Sequence, residues 1–132
     1  MMDFSKYIDI PFKSCGRTYE GVDCWGLVCL AYKEMLDISL PSYIDEYVDA
    51  HAYTRIAEVA EVHSSEWIKI SKGTEQTFDV ILIAIRGLPI HVGMVTKLGW
   101  MLHVLTKTYG CLERYNTPLW HRRIRGFYRY AK

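Results

Sequence analysis

Asp23-Cys24-Trp25-Gly26-Leu27-Val28-Cys29-Leu30-Ala31-Tyr32-Lys33-Glu34-Met35-Leu36 carries the period of an α-helix. Cys24, Leu27, Val28, Ala31 and Met35 fall on one face at spacings of three and four. Asp23 is a good N-cap, because its carboxylate can accept a free N–H of the first turn, and Pro41 stops any continuation. A second helix is expected over about residues 47 to 63, with Tyr53, Ile56, Ala57 and Ala60 inward. Beyond it the pattern turns to strands, at Trp67–Ile70, 78–85, 90–96, 100–106, 111–115 and 123–130. Turn signals separate them: Lys72-Gly73, Arg86-Gly87-Leu88-Pro89, Lys97-Leu98-Gly99 and Asn116-Thr117-Pro118. Helices first and a meander of strands afterwards predict an α+β fold, with the helices packed on one face of an antiparallel sheet.

The 132 residues suit one domain over 1–132 that buries a core of its own, and no repeat or linker interrupts them. Half are hydrophobic and 23% are charged, an ordinary globular balance. No apolar run reaches the roughly 20 residues that span a membrane, so membrane insertion is not expected. The start, MMDFSKYIDI, has no basic region followed by an apolar stretch, so no signal peptide is expected and synthesis is placed in a cytoplasm. The small net charge hides an asymmetry. Residues 1–66 carry 5 Lys/Arg and 12 Asp/Glu, a balance of −7, whereas residues 67–132 carry 11 and 3, a balance of +8. Two solvated faces of opposite sign would account for it, and so would a basic surface that meets an anionic partner or a neighbouring subunit. The basic ending HRRIRGFYRYAK lacks any surrounding nucleic-acid module, so nucleic acid is not expected as a partner. Arg123, Arg125 and Arg129 against Ile124, Tyr128 and Tyr130 read as a strand with one wet face.

Of the four cysteines, Cys15, Cys24, Cys29 and Cys111, none forms a C-x-x-C pair, and no H-x-x-x-H occurs, so no metal or cofactor is expected. Cys24 and Cys29 point in different directions from one helix, which argues against a disulfide. Cys24 alone sits where a helix start favours negative charge and lowers a thiol pKa. It reads either as a nucleophile or as a buried structural cysteine. Among the histidines, His91 and His103 lie on two strands joined by Lys97-Leu98-Gly99. A three-residue loop pairs Thr96 with Trp100 and hence Gly93 with His103, which puts both imidazoles on one face. A two-residue loop would put them on opposite faces. A metal pair is the alternative, with no third ligand evident in the sequence. Two imidazoles facing a helix-start cysteine have the makings of a base and its orienting group.

Gly21-Val22-Asp23-Cys24-Trp25-Gly26-Leu27-Val28 resembles the nucleophile motif of the NlpC/P60 family, G-x-D-C-S-G-L/F-V. His91-Val92-Gly93-Met94-Val95 resembles the family's H-V-G-I-Y strand, and His103 follows at the place of its third polar residue. Phe78-Asp79-Val80-Ile81 resembles the G-D-L-V strand entry, and Ile10-Pro11-Phe12 with Cys15-Gly16-Arg17 resembles the P-Y-x-x-G-G stretch. Trp25, Glu113-Arg114, Trp120, Arg123, Gly126, Tyr128 and Arg129 resemble the phage tail branch of that family, whose members are similar to tail-tip assembly proteins. Three positions depart from the pattern. Phe12 stands where a Tyr hydroxyl often lines the site, Trp25 replaces a frequent Ser, and Cys15 occupies the first Gly position.

The resemblance implies a papain-like α+β fold and a cysteine peptidase that cleaves bacterial cell-wall stem peptides, usually between D-Glu and a diamino acid. It assigns Cys24 as nucleophile, His91 as base and His103 as the orienting residue, with Asp23, Phe12 and Trp25 toward substrate. Asp23 would meet the stem peptide's free amine, or serve only as a helix cap. The tail branch implies a virion location, action at the cell wall, and other tail-tip proteins as partners. Two rivals stand beside this reading: a catalytically silent structural tail protein, and a related thiol amidase or acyltransferase.

Overall fold

The computed structural model describes residues 2–42 and 66–131, and the helix expected over about 47 to 63 lies outside the described residues. After a short 3-10 turn at Ser5–Tyr7 come two-residue strands β1 (Arg17–Thr18) and β2 (Gly21–Val22), then helix α1 (Cys24–Leu36). Strands β3 (Trp67–Ile70), β4 (Val80–Ile85), β5 (Leu88–Lys97), β6 (Trp100–His103) and β7 (Cys111–Arg114) follow. A single helical turn, α2 (Pro118–His121), leads into β8 (Ile124–Tyr130). The sequence reading places a turn at Asn116-Thr117-Pro118; the chain uses Pro118 to open α2 instead, where a proline's missing N–H costs nothing.

Helix α1 begins as expected. The Asp23 side chain accepts from the Gly26 N–H, and Cys24, Leu27, Val28, Ala31 and Tyr32 are buried. Its end also falls at Leu36 as expected, but the stop signal is not the proline. Asp37 takes a left-handed cap at φ 53°, so the helix closes at Leu36 before Pro41 is reached. The helix start is pressed onto the loop before it: a Cβ at Gly26 would lie 2.0 Å from the Gly16 carbonyl oxygen. Only glycine tolerates that approach.

The six strands β3 to β8 form one antiparallel sheet in the order β3-β8-β4-β5-β6-β7. The meander holds from β4 to β7, but β8 returns to fill the slot between β3 and β4. Asp79 explains part of this. It is buried, and Arg129 of β8 grips both of its carboxylate oxygens at 2.8 and 2.7 Å. Arg129 therefore clamps β8 beside β4 rather than facing open water. Side chains alternate between two cores. Val80, Val92, Met94 and Leu102 pack with Leu27, Val28 and Ala31 of α1. Ile81, Ile83, Val95, Met101 and Phe127 pack with Trp120 of α2 on the other face.

The β5–β6 hairpin reaches the expected register by an unexpected route. Lys97 pairs with Trp100, so the loop holds only Leu98 and Gly99, the latter at φ 91°. A bulge at Thr96 then absorbs one residue, and Val95 pairs with Met101 and Met94 with Leu102. The next step sets Gly93 against His103, and a Cβ on Gly93 would lie 3.5 Å from the His103 Cβ. The bulge thus does what a third loop residue would have done.

Candidate active site

Cys24 opens α1 at its first turn and is 6% exposed, with the Val92 backbone of β5 near enough to favour its charged form. His91 is the residue before Val92. Cys24 and His91 line one cavity of about 310 Å³, together with Phe12, Arg86, Ile90, Val104 and Thr106. Both imidazoles sit on one sheet face, as the register requires, and they touch: His91 Nε2 lies 2.9 Å from His103 Nδ1. That face is a correction. Alternation turns Val92 and Met94 toward α1 and the two histidines toward Trp120, whose ring stacks on His91 and meets His103 edge-on. Cys24 and His91 nevertheless line one cavity, at the end of β5 that runs on past the last residue of β6.

His103 Nε2 lies 2.8 Å from a carboxylate oxygen of Glu113 on β7, and the Trp120 indole N–H donates to the other oxygen at 2.9 Å. A carboxylate only accepts, so His103 Nε2 carries the hydrogen and His103 Nδ1 is bare. His91 Nε2–H must then donate to it. This leaves the His91 Nδ1 lone pair free to accept a proton. One carboxylate therefore sets both tautomers.

Burial governs the charges. It pushes the Cys24 thiol up to about 12, and Asp23 adds to this, while hydrogen bonds from the Val92 and Trp25 backbone and the Arg17 charge pull the other way. The helix start does not hold this thiol low, contrary to expectation, because the site is dry. Burial likewise lowers His91 to about 3, with His103 adding to it, and burial lowers His103 against the opposing pull of Glu113. At neutral pH the pair rests as thiol and neutral imidazole. Moving the thiol proton to His91 creates two opposite charges side by side, each stabilising the other.

The sequence-derived substrate residues fare differently. Phe12 lines the cavity. Asp23 is buried, and its oxygens are taken by the Gly26 N–H at 2.7 Å, the Cys15 N–H at 3.0 Å and Arg17 at 2.9 Å. It is a cap and an ion-pair partner. Trp25 donates its indole N–H to the Pro41 carbonyl and meets the Trp67 ring edge-on. The four cysteines are free thiols.

The sequence pattern that defines the NlpC/P60 family matches residues 9–129. The chain belongs to the NlpC/P60 family. Its fold is that of solved members. An NlpC/P60 family protein from Bacillus cereus ATCC 10987 superposes with a TM-score of 0.69 at 22% identity, over 96% of this chain and 37% of that one. The NlpC/p60 domain of peptidoglycan hydrolase SagA gives 0.64 at 17% identity, over 97% and 92%. A lipoprotein-like NLP/P60 protein of Staphylococcus aureus subsp. aureus Mu50 gives 0.66 at 18% identity, over 99% and 43%. The chain thus spans well under half the length of two of these three. No curated protein matches.

Within this family frame, the sequence reading missed Glu113 as a site residue. The signal was present but needed the pairing: Cys111 sits opposite His103, so Glu113 is its diagonal neighbour on the same face.

Proposed function

We propose that this NlpC/P60 chain is a cysteine peptidase that hydrolyses peptide bonds in the stem peptides of bacterial cell wall. The observation that carries the reading is the unbroken line from Glu113 through His103 to His91, ending in a cavity shared with Cys24. His91 Nδ1 takes the thiol proton as the sulfur attacks the scissile carbonyl, then delivers it to the leaving amine. The resulting imidazolium is stabilised through His103 by the Glu113 charge. Water hydrolyses the thioester by the same route in reverse. The Cys24 backbone N–H, at the first helical position, serves the oxyanion.

The bond between D-Glu and a diamino acid is the proposed target, and transport on a phage or prophage-derived tail is the proposed delivery to the wall, with other tail-tip proteins as partners. The family supports the first, and the phage-branch resemblance of Trp25, Glu113 and Trp120 supports the second. The fold's likeness to the SagA peptidoglycan hydrolase domain is in keeping with a wall substrate. The test is digestion of purified peptidoglycan by wild type and Cys24→Ser, with fragments identified by mass spectrometry. Serine keeps the shape but leaves almost no anion for His91 to generate. Wild type should release fragments with a new diamino-acid amine, and the folded variant none. Equal release by both would remove Cys24 as nucleophile. No release by wild type from any wall tested would leave a silent structural tail protein, acyl transfer without hydrolysis would leave an acyltransferase, and hydrolysis of a different amide would leave an amidase.

A further inference from the structure

Strands β6 and β7 assemble a second constellation behind the histidine pair. Cys111 stands directly opposite His103 in the ladder, and Glu113 projects from the same face two residues on. A ring nitrogen of His103, the Cys111 sulfur and a Glu113 carboxylate oxygen all lie within 4.8 Å of one another. Because His103 Nδ1 is engaged by His91, the nitrogen on the Glu113 side is Nε2. Donors around a tetrahedral zinc ion sit about 3.3–3.8 Å apart, given bonds of roughly 2.0–2.3 Å, so side-chain adjustments of about 1 Å suffice to close the set. One thiolate, one imidazole and one carboxylate suit zinc in chemistry as well as in number. The cluster is also reachable, since β7 is the outer strand of the sheet and Cys111 and Glu113 are only partly buried. Spacing along the chain conceals it: its members come from two strands that face each other.

We propose that His103, Cys111 and Glu113 bind a zinc ion, and that the bound ion switches the peptidase off. The second half rests on the cysteine peptidase reading above. Coordination needs the lone pair of His103 Nε2, so the hydrogen there must leave. The Cys111 thiol gives up its proton to solvent as the sulfur–zinc bond forms. His103 then carries its hydrogen on Nδ1, taken from His91 Nε2, and His91 regains one from solvent on Nδ1. Each imidazole stays neutral, and the protons balance with one released overall. The His91 nitrogen that does not meet His103, the base of the proposed reaction, has become an N–H, which cannot take the thiol proton. Zinc at the back of the line thus reverses both tautomers without entering the cleft.

Three measurements test this on the full chain, stripped of metal by chelation. First, Co²⁺ added to Cys24→Ser should give tetrahedral absorption bands and a thiolate-to-cobalt charge-transfer band that Zn²⁺ displaces. Cys24→Ser/Cys111→Ala and Cys24→Ser/Cys111→Ser should give neither. Absence of the bands in Cys24→Ser, or their persistence in the double variants, would overturn the site. Second, in nitrogen NMR of the histidine-labelled chain, Zn²⁺ should move the protonated nitrogen of His91 from Nε2 to Nδ1. An unmoved proton with zinc bound would overturn the switch, and neither measurement requires hydrolysis to be observed. Third, zinc should lower the wild-type rate on peptidoglycan by about 100-fold or more, as a wrong tautomer does in a catalytic triad, and a chelator should restore it. The ratio of rates with and without zinc should approach one in Cys111→Ala. Equal inhibition of that variant would place the ion at Cys24 and His91, and would overturn the proposal.

Discussion

Replacing Glu113 by Gln keeps the size of the side chain but removes its charge and lets an amide N–H face His103. The His91 tautomer is then no longer imposed, and the imidazolium of the proposed reaction loses its counter-charge through His103. The expected outcome for Glu113→Gln is a fall in kcat of roughly 10- to 1,000-fold with KM little changed, since such an orienting group acts on the reacting proton rather than on substrate binding. Steady-state kinetics on a defined stem peptide checks it, and a drop confined to KM would remove Glu113 from the relay. Cys15 is a different kind of residue-scale feature. It adopts φ 60°, the left-handed region, at the position where the family pattern places glycine. That conformation costs a residue with a side chain roughly 1 kcal/mol, so Cys15→Gly should raise stability by up to about that amount in urea unfolding. A lower midpoint would mean that contacts of the Cys15 side chain outweigh the backbone strain.

At the scale of elements, the position of α1 depends on a backbone approach that no rotamer can relieve. A methyl group at Gly26 would stand 2.0 Å from the Gly16 carbonyl oxygen and 2.8 Å from the Arg17 guanidinium. Gly26→Ala should therefore destabilise the fold by about 3 kcal/mol, at the high end for overpacking, because backbone must move rather than a side chain. It should also cut activity in the fraction that folds, since α1 carries Cys24. Thermal unfolding with parallel kinetics would detect both, and an unchanged Tm would show that α1 can slide without loss. The hairpin makes a related point. Its register was readable, but the pairing of Gly93 with His103 comes from a two-residue loop and a bulge at Thr96 rather than from a three-residue loop. Loop length and bulge trade against each other at constant register, so sequence alone could count the offset without locating it.

Across the whole molecule, the buried histidines tie stability to pH. His91 falls from 6.5 to about 3 on folding, through burial and the neighbouring His103, and His103 is lowered as well. The unfolded chain therefore binds protons that the folded chain refuses. Their contribution to stability is complete above about pH 6.5 and is lost as the pH falls toward about 3. Urea midpoints measured across that window should drop steeply for the wild type and less steeply for His91→Gln, whose side chain cannot take up a proton. Equal slopes would mean that His91 is not buried neutral.

How much of this was legible varied with the range of the contact. The α1 face, its Asp23 cap, the strand positions and the nucleophile and base motifs all follow from neighbours within about one helical turn or one hairpin, and these the chain spells out in order. Cys24 and His91 were identifiable in that way, although 67 positions separate them in the numbering. What only the tertiary structure decided depends on packing between distant segments. It placed β8 between β3 and β4 through Asp79 and Arg129, turned the histidines toward Trp120 rather than α1, and set Glu113 behind His103. It also reversed the expected charge state of Cys24. A helix start lowers a thiol pKa by a local field that is visible in the sequence, but exclusion of water raises it further, and how dry a site is depends on every segment folded around it.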